Sequence, residues 1–160
     1  MAKHNLIGID AKKAEILSEK LNKLLADYQV FYMNVRGLHW NIRGEKFFEM
    51  HLKFEELYNN LLLKVDEVAE RILTLGSVPL HTYTDYLKKS ELKEARNIHK
   101  SHEAVQLIVD ALQKIIRRER DLLQLSADAS DEGTNALMSD YIREQEKMIW
   151  MYSAYLNTHA

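Results

Sequence analysis

Residues 47–75 run without proline or glycine and are rich in Leu, Glu, Lys and Ala, so the segment reads as one long helix. What constrains the fold most is that this helix carries two apolar strips. Stepping about 100° per residue from His51, Phe54, Tyr58, Leu61, Val65, Val68 and Ile72 fall near 260–340°, an ordinary core stripe. Lys53, Glu56, Asn60, Lys64, Glu67 and Arg71 fall near about 140–220° and read as a solvated face. Leu52, Leu62, Leu63 and Leu73 fill the sector near about 0–120°. A monomeric helix has no use for that second strip. It reads as an interface with another copy of the chain.

The same sector holds His51, Glu55, Asp66 and Glu70, and His39 precedes them. Imidazoles and carboxylates are borderline-hard ligands that suit iron. His51 and Glu55 share one helical face, as do Asp66 and Glu70. From Glu55 to Asp66 is roughly 16 Å along an α-helix, too far for one ion. The two pairs can share a metal only if a second helix runs antiparallel, setting 51/55 of one chain against 66/70 of the other.

Composition narrows the class. At 160 residues the chain is expected to be one domain, with a substantial core. One Pro, five Gly, 46% hydrophobic and 29% charged residues fit a helical protein. A formal charge of −2 argues against a broad nucleic-acid footprint. No run approaches the ~18 apolar residues of a membrane span, and the start lacks a signal-peptide apolar region. The cytoplasm is the expected compartment, with nucleoid association left open. Without Cys there are no disulfides and no thiolate ligands.

The few breakers divide the chain. Asp10 is a plausible N-cap for a first helix to about Arg43, after a short tail at 1–9, and Gly44 stops it. The second helix ends at Gly76. Residues 76–92 form a long connection in which 84–87 make a short helix. A third helix is expected over 94–126, a turn over 128–133, and a fourth helix over 131–157. Two helical hairpins joined by one long crossover make an all-α, ferritin-like four-helix bundle with a short extra helix in the crossover.

His39-Trp40-Asn41, Gly44, Phe47, His51, Phe54-Glu55-Glu56-Leu57-Tyr58, Asp66 to Ile72 and Leu75-Gly76 together resemble the Dps family, the mini-ferritins or DNA-binding proteins from starved cells. The likeness covers nearly the whole of 1–160, including Trp150-Met151. It implies a hollow dodecamer that oxidises ferrous iron, usually with hydrogen peroxide, and stores ferric mineral inside. It further implies a di-iron centre between two-fold-related subunits, with His39, His51 and Glu55 from one and Asp66 and Glu70 from the other. Glu55 and Glu70 would be the bridging or first-iron carboxylates, and zinc would be accepted by the same ligands. Trp40 would be an electron or radical sink near the iron. Where many relatives have Asp, this chain has Glu55, whose extra methylene lengthens its reach.

Plainer readings stand beside these. Asp66 and Glu70 could pair with Arg71 or Lys64. Trp40 could be an interface aromatic, and Tyr28, Phe31, Tyr32 and Phe47 read as core. His99 and His102 read as hydrogen-bonded core or surface residues, and His4, His81 and His159 as surface or tail. Asp128, Asp131, Glu132 and Asp140 could line a cation-concentrating pore or simply form a solvated turn with an N-capping Asp. Ala136 stands where many relatives place a further pore acid. A ferritin or bacterioferritin would need Glu-x-x-His motifs, and the sequence contains none. The rival of another class is a nucleoid-binding structural protein with iron secondary. With only Lys3, Lys12 and Lys13 near the start and Asn-Thr-His-Ala at the end, DNA binding is expected to be weak or absent.

Overall fold

Asp10 sets the start of the first helix. Its carboxylate accepts from the backbone N–H of Lys12 and Lys13 at 3.1 Å each, pairing donors that a helix start leaves free. In the computed structural model, which describes residues 3–157, α1 is Ala11–Asn41 and α2 is Phe47–Thr74. The short α3, Tyr83–Lys89, lies in the crossover, followed by α4, Ser101–Asp128, and α5, Glu132–Tyr155. α1 packs with α2, α4 packs with α5, and α1 joins the two hairpins through α4. Among the described residues the chain is all-α, a ferritin-like four-helix bundle with one short extra helix. No described helix is long and apolar enough to cross a membrane. Residues 3–9 fold back at the end of the first hairpin: Asn5 donates to the Leu75 carbonyl at 3.1 Å, and Ile9 is buried.

α2 stops at its glycine for a backbone reason. Gly76 sits at φ 91°, which lets its N–H reach the Leu73 carbonyl at 2.9 Å while Ser77 N–H reaches Ile72 at 3.1 Å. These are the paired bonds of a Schellman cap.

The third long helix starts at Ser101, well after the expected 94. Asn34 of α1 explains the delay. Its amide donates to the Lys93 carbonyl at 2.9 Å and accepts from Ala95 N–H at 2.9 Å, so this backbone is already paired outside a helix. Asn97 then takes a left-handed φ of 56°. Upstream, Asn22 holds Val78 and Leu80, and the buried Asp27 accepts from Ser90 Oγ, Glu91 N–H and Arg118 Nε. Three polar residues of α1 thus pin the crossover.

Leu17, Leu21, Leu24, Phe31 and Val35 of α1, Phe54, Leu61, Val68 and Ile72 of α2, and Ile108, Leu112, Ile115 and Leu122 of α4 form the buried core. Each contributes about 1.5–3 kcal/mol of transfer free energy. At its centre Tyr28 donates to Glu119 Oε1, and Gln145 Nε2 donates to Tyr28 Oη at 2.6 Å and to Glu119 Oε1 at 2.9 Å. Burial pushes the Glu119 carboxyl up to about 7, against the lowering effect of those bonds.

The face of α2 expected to be solvated needs correction. Lys53, Glu56 and Glu67 are exposed, but Lys64 is buried and Asn60 and Arg71 are half-buried. That face meets α5 through long polar side chains. Asn60 and Lys64 both donate to Glu144, Tyr141 donates to Glu67 at 2.5 Å, and Arg71 binds Asp131 at 2.5 Å and Thr134 at 2.9 Å. Gly133 leaves room for that arginine, since a Cβ there would come within 2.7 Å of its guanidinium.

Candidate metal centre

Because α1 ends at Asn41, the His39 carbonyl lies beyond the reach of the helical ladder. The N–H of Arg43, its ladder partner in a longer helix, goes to His99 O at 3.0 Å instead. His51 fills the place: its Nδ1 donates to the His39 carbonyl at 2.8 Å. His39 Nδ1 donates in return to the His51 carbonyl at 2.7 Å. The two rings stack with centroids 3.7 Å apart and planes 18° from parallel. A carbonyl can only accept, so each Nδ1 carries a proton, and in the neutral ring each Nε2 keeps its lone pair. Backbone bonds therefore orient two imidazole ligand atoms, as is usual for metal-binding histidines.

Aromatic rings wall the pair. Phe47, expected as core, stacks on His51 at 5.1 Å, and Tyr58 stands edge-on to His39 at 5.3 Å. Glu55 lies one turn after His51, half-buried, and accepts from Tyr58 Oη at 3.4 Å. Burial raises the Tyr58 phenol pKa above its usual value, and Glu55 adds to that rise. Arg36 lies over Tyr32, Tyr58 and Trp40, nearest to Trp40 at 4.8 Å. Trp40 itself is 54% exposed.

Asp66 and Glu70 are exposed on the same sector of α2, and their carboxylates engage no group among the described residues. Their alternative partners are occupied elsewhere, Lys64 by Glu144 and Arg71 by Asp131. Leu52, Leu62, Leu63 and Leu73 beside them are all exposed, Leu63 at 66%. Within one chain no three His, Asp or Glu side chains close on a metal position among the described residues. The structure stacks His39 on His51, sets Glu55 one turn after His51 on α2, and leaves Asp66 and Glu70 further along that helix. The donor set, two free imidazole nitrogens and three carboxylates, fits a ferrous ion.

The pore candidates separate. Asp131 is removed from consideration: it is buried, caps α5 through Thr134 N–H at 3.0 Å and neutralises Arg71. Asp128 and Glu132 are exposed, and Asp140 is exposed but paired with Arg143 at 2.8 Å. Of the remaining histidines, His99 donates to the Asn41 carbonyl and His81 to Pro79, while His4 and His102 are exposed. His159 lies outside the described residues.

Sequence reasoning missed Tyr58 and Arg36 as parts of this site. Tyr58 follows Glu55 by three residues, a same-face spacing that was readable. Arg36 was readable in the same way, four residues from both Tyr32 and Trp40 on α1, and only its contact with Tyr58 crosses to α2.

A family model for the ferritin-like domain matches residues 18–160. A DNA protection during starvation protein of Porphyromonas gingivalis is 42% identical over 148 residues, covering 92% of this chain and 93% of that one. A crystal structure of the Dps protein from Vibrio cholerae O1, described as a member of a superfamily of ferritin-like diiron-carboxylate proteins, superposes with a TM-score of 0.95 at 52% identity and 98% coverage of both chains. A Dps protein from Bacillus brevis gives a TM-score of 0.88 at 30% identity, covering 91% of this chain and 97% of that one. With the bundle, the histidine pair and these likenesses in agreement, the chain belongs to the Dps family of ferritin-like proteins.

Proposed function

We propose that two copies of this chain pair through the exposed strip of α2 and oxidise ferrous iron between them. His39, His51 and Glu55 of one copy face Asp66 and Glu70 of the partner subunit. The observation that carries this reading is the reciprocal histidine pair, with both Nε2 atoms free, beside an uncovered leucine strip bearing two unpaired carboxylates. Paired ferrous ions supply the two electrons that reduce hydrogen peroxide to water, so hydroxyl radical is avoided. The ferric product is stored as mineral in a hollow dodecamer, in the cytoplasm. Asp128 and Glu132 are the residual candidates for drawing in iron. Zinc, which takes the same nitrogen and oxygen donors, is the expected competitor.

The name of the Porphyromonas gingivalis relative speaks of DNA protection. In this chain that protection is read as the removal of iron and peroxide. Tight retention of DNA is not expected of a protein with formal charge −2.

The test is an anaerobic ferrous titration followed by peroxide or oxygen at equal ferrous concentration, with particle mass measured alongside. The expected result is fast oxidation by peroxide, slow oxidation by oxygen, a soluble product and a twelve-chain mass. Equal rates with both oxidants would overturn the peroxide preference. A particle no larger than a dimer would overturn the storage shell.

A further inference from the structure

We infer that the cavity between the start of α2 and the end of α5 binds a cuprous ion through the thioethers of Met50, Met148 and Met151. The cavity has a volume of about 450 Å³, and these three side chains line it together. The chain has six methionines and no cysteine, so thioethers are its only soft ligands. Half of them meet here. Met148 and Met151 are three apart on α5 and share a helical face. Met50 comes from α2, where it is buried. A methionine side chain has three rotatable bonds, so sulfurs from two facing helices can close on one ion without moving the backbone far.

The oxygen atoms around the cavity favour a soft ion over ferrous iron. Each carboxylate at its rim already faces a lysine: Glu56 pairs with Lys53 at 2.7 Å, Glu49 with Lys46 at 3.5 Å, and Glu144 with Lys64. Lys147 brings further positive charge to the rim. Burial pushes the Tyr152 phenol up to about 12, with Glu56 adding to the rise, so at neutral pH that oxygen keeps its proton. Asn60 adds a neutral amide oxygen without a donor, too little by itself to hold a hard divalent ion. A cuprous ion, with a single charge and a preference for sulfur, meets three neutral thioethers.

The site is separate from the proposed iron centre. On the helical wheel of α2 the residues that line the cavity, from Glu49 to Asn60, fall near about 140–260°. The leucine strip and its ligands lie across the helix from them, so pairing through that strip leaves the cavity on the far side of α2. Met151 belongs to the Trp150-Met151 pair, which the iron chemistry does not use. The chain thus takes up a second redox-active metal by a different ligand chemistry.

The experiment titrates metal-free, full-length protein anaerobically with cuprous bicinchoninate and follows the colour lost as the protein withdraws copper. Wild type should withdraw one cuprous ion per chain, and at that loading X-ray absorption should show sulfur as the only near neighbour. Met148→Leu with Met151→Leu, which conserves side-chain volume, should lose this withdrawal with thermal unfolding unchanged. Met33→Leu, on α1, should keep it, and so should His39→Ala with His51→Ala. In carbon-13 spectra of methyl-labelled methionine, silver(I) should shift the Met50, Met148 and Met151 methyls and leave those of Met33 and Met138 in place. That arm needs no substitution, so it decides the matter where a leucine variant unfolds. Withdrawal that survives in the double leucine variant, nitrogen neighbours on the copper, or loss of withdrawal with the two histidines overturns the inference. So does a wild type that withdraws no copper, or silver that leaves the three methyls unmoved.

Discussion

The Tyr28–Glu119–Gln145 cluster inside the bundle and the His39–His51 pair at the turn of the first hairpin both set polar groups against apolar helices. They differ in where their hydrogen bonds end. In the core cluster the bonds run between side chains of α1, α4 and α5 and close on one another. Glu119 Oε2 is buried without a donor, a position that suits the neutral acid better than the carboxylate. At the hairpin each histidine bonds back to a carbonyl, and both Nε2 atoms are left over. One cluster is enclosed within the chain, with Glu119 Oε2 and Gln145 Oε1 buried beyond any donor or acceptor. The other is held in shape but incomplete, which is what a site shared with a second copy requires.

The largest effect should come from breaking the open region in halves. His51→Ala with Glu55→Ala should abolish fast iron oxidation, as should Asp66→Ala with Glu70→Ala. Co-assembled in equal amounts with random two-fold pairing, the two dead variants should form about half mixed dimers, each with one intact site, and recover about a quarter of the wild-type sites. Sites contained within one chain would recover nothing. Recovery near zero in particles shown by mass to be mixed ends the shared-site reading.

The closed region should show itself in the pH dependence of stability. Glu119 is raised from 4.5 to about 7 by burial, so across that window the folded chain keeps a proton that the unfolded chain has released. Stability should fall as pH rises from 4.5 to about 7 and level off above. The total for this group is about 3 kcal/mol, an order-of-magnitude figure from ~1.4 kcal/mol per pH unit. Glu119→Gln should lose that slope in denaturant unfolding at fixed protein concentration. An unchanged slope in the variant would assign the dependence to another group.

The smallest effect concerns what the open region does not attract. Its unpaired groups include two carboxylates, and the chain's formal charge is −2, so duplex DNA should show no mobility shift at physiological salt and neutral pH. Tight, salt-resistant retention would mean that an assembled surface or a bridging metal holds phosphate.

Some of this was legible in the sequence because it rests on local chemistry. Asp10 caps, Gly76 stops a helix and the 3.6-residue period of Phe54, Leu61, Val68 and Ile72 marks a core face, all without knowledge of the rest of the fold. The shared face of His51 and Glu55 was legible in their spacing of four, whereas His39 joined them only through the family resemblance, and the structure stacks its ring on His51. Tyr58 and Val65 were read as full core and are only half-buried, since the period places a residue on a face but not its depth.

By itself, then, the sequence determined that long helices form, where most of them end, and that α2 carries a second apolar strip with ligands at its margin. These follow from propensity, capping and periodicity, which act within a few residues. Tertiary structure alone decided that α4 starts at Ser101 rather than 94, because Asn34 of α1 pairs the Lys93 carbonyl and the Ala95 N–H outside a helix. It decided that Lys64 is buried and that the capping Asp131 is buried as well, because Glu144 and Arg71 reach them from distant parts of the chain. It also set which nitrogen of each histidine is free, because each Nδ1 reaches the other histidine's carbonyl across the hairpin. Long polar side chains and unpaired backbone groups take whichever partner the packed helices bring near, and no local pattern names that partner in advance.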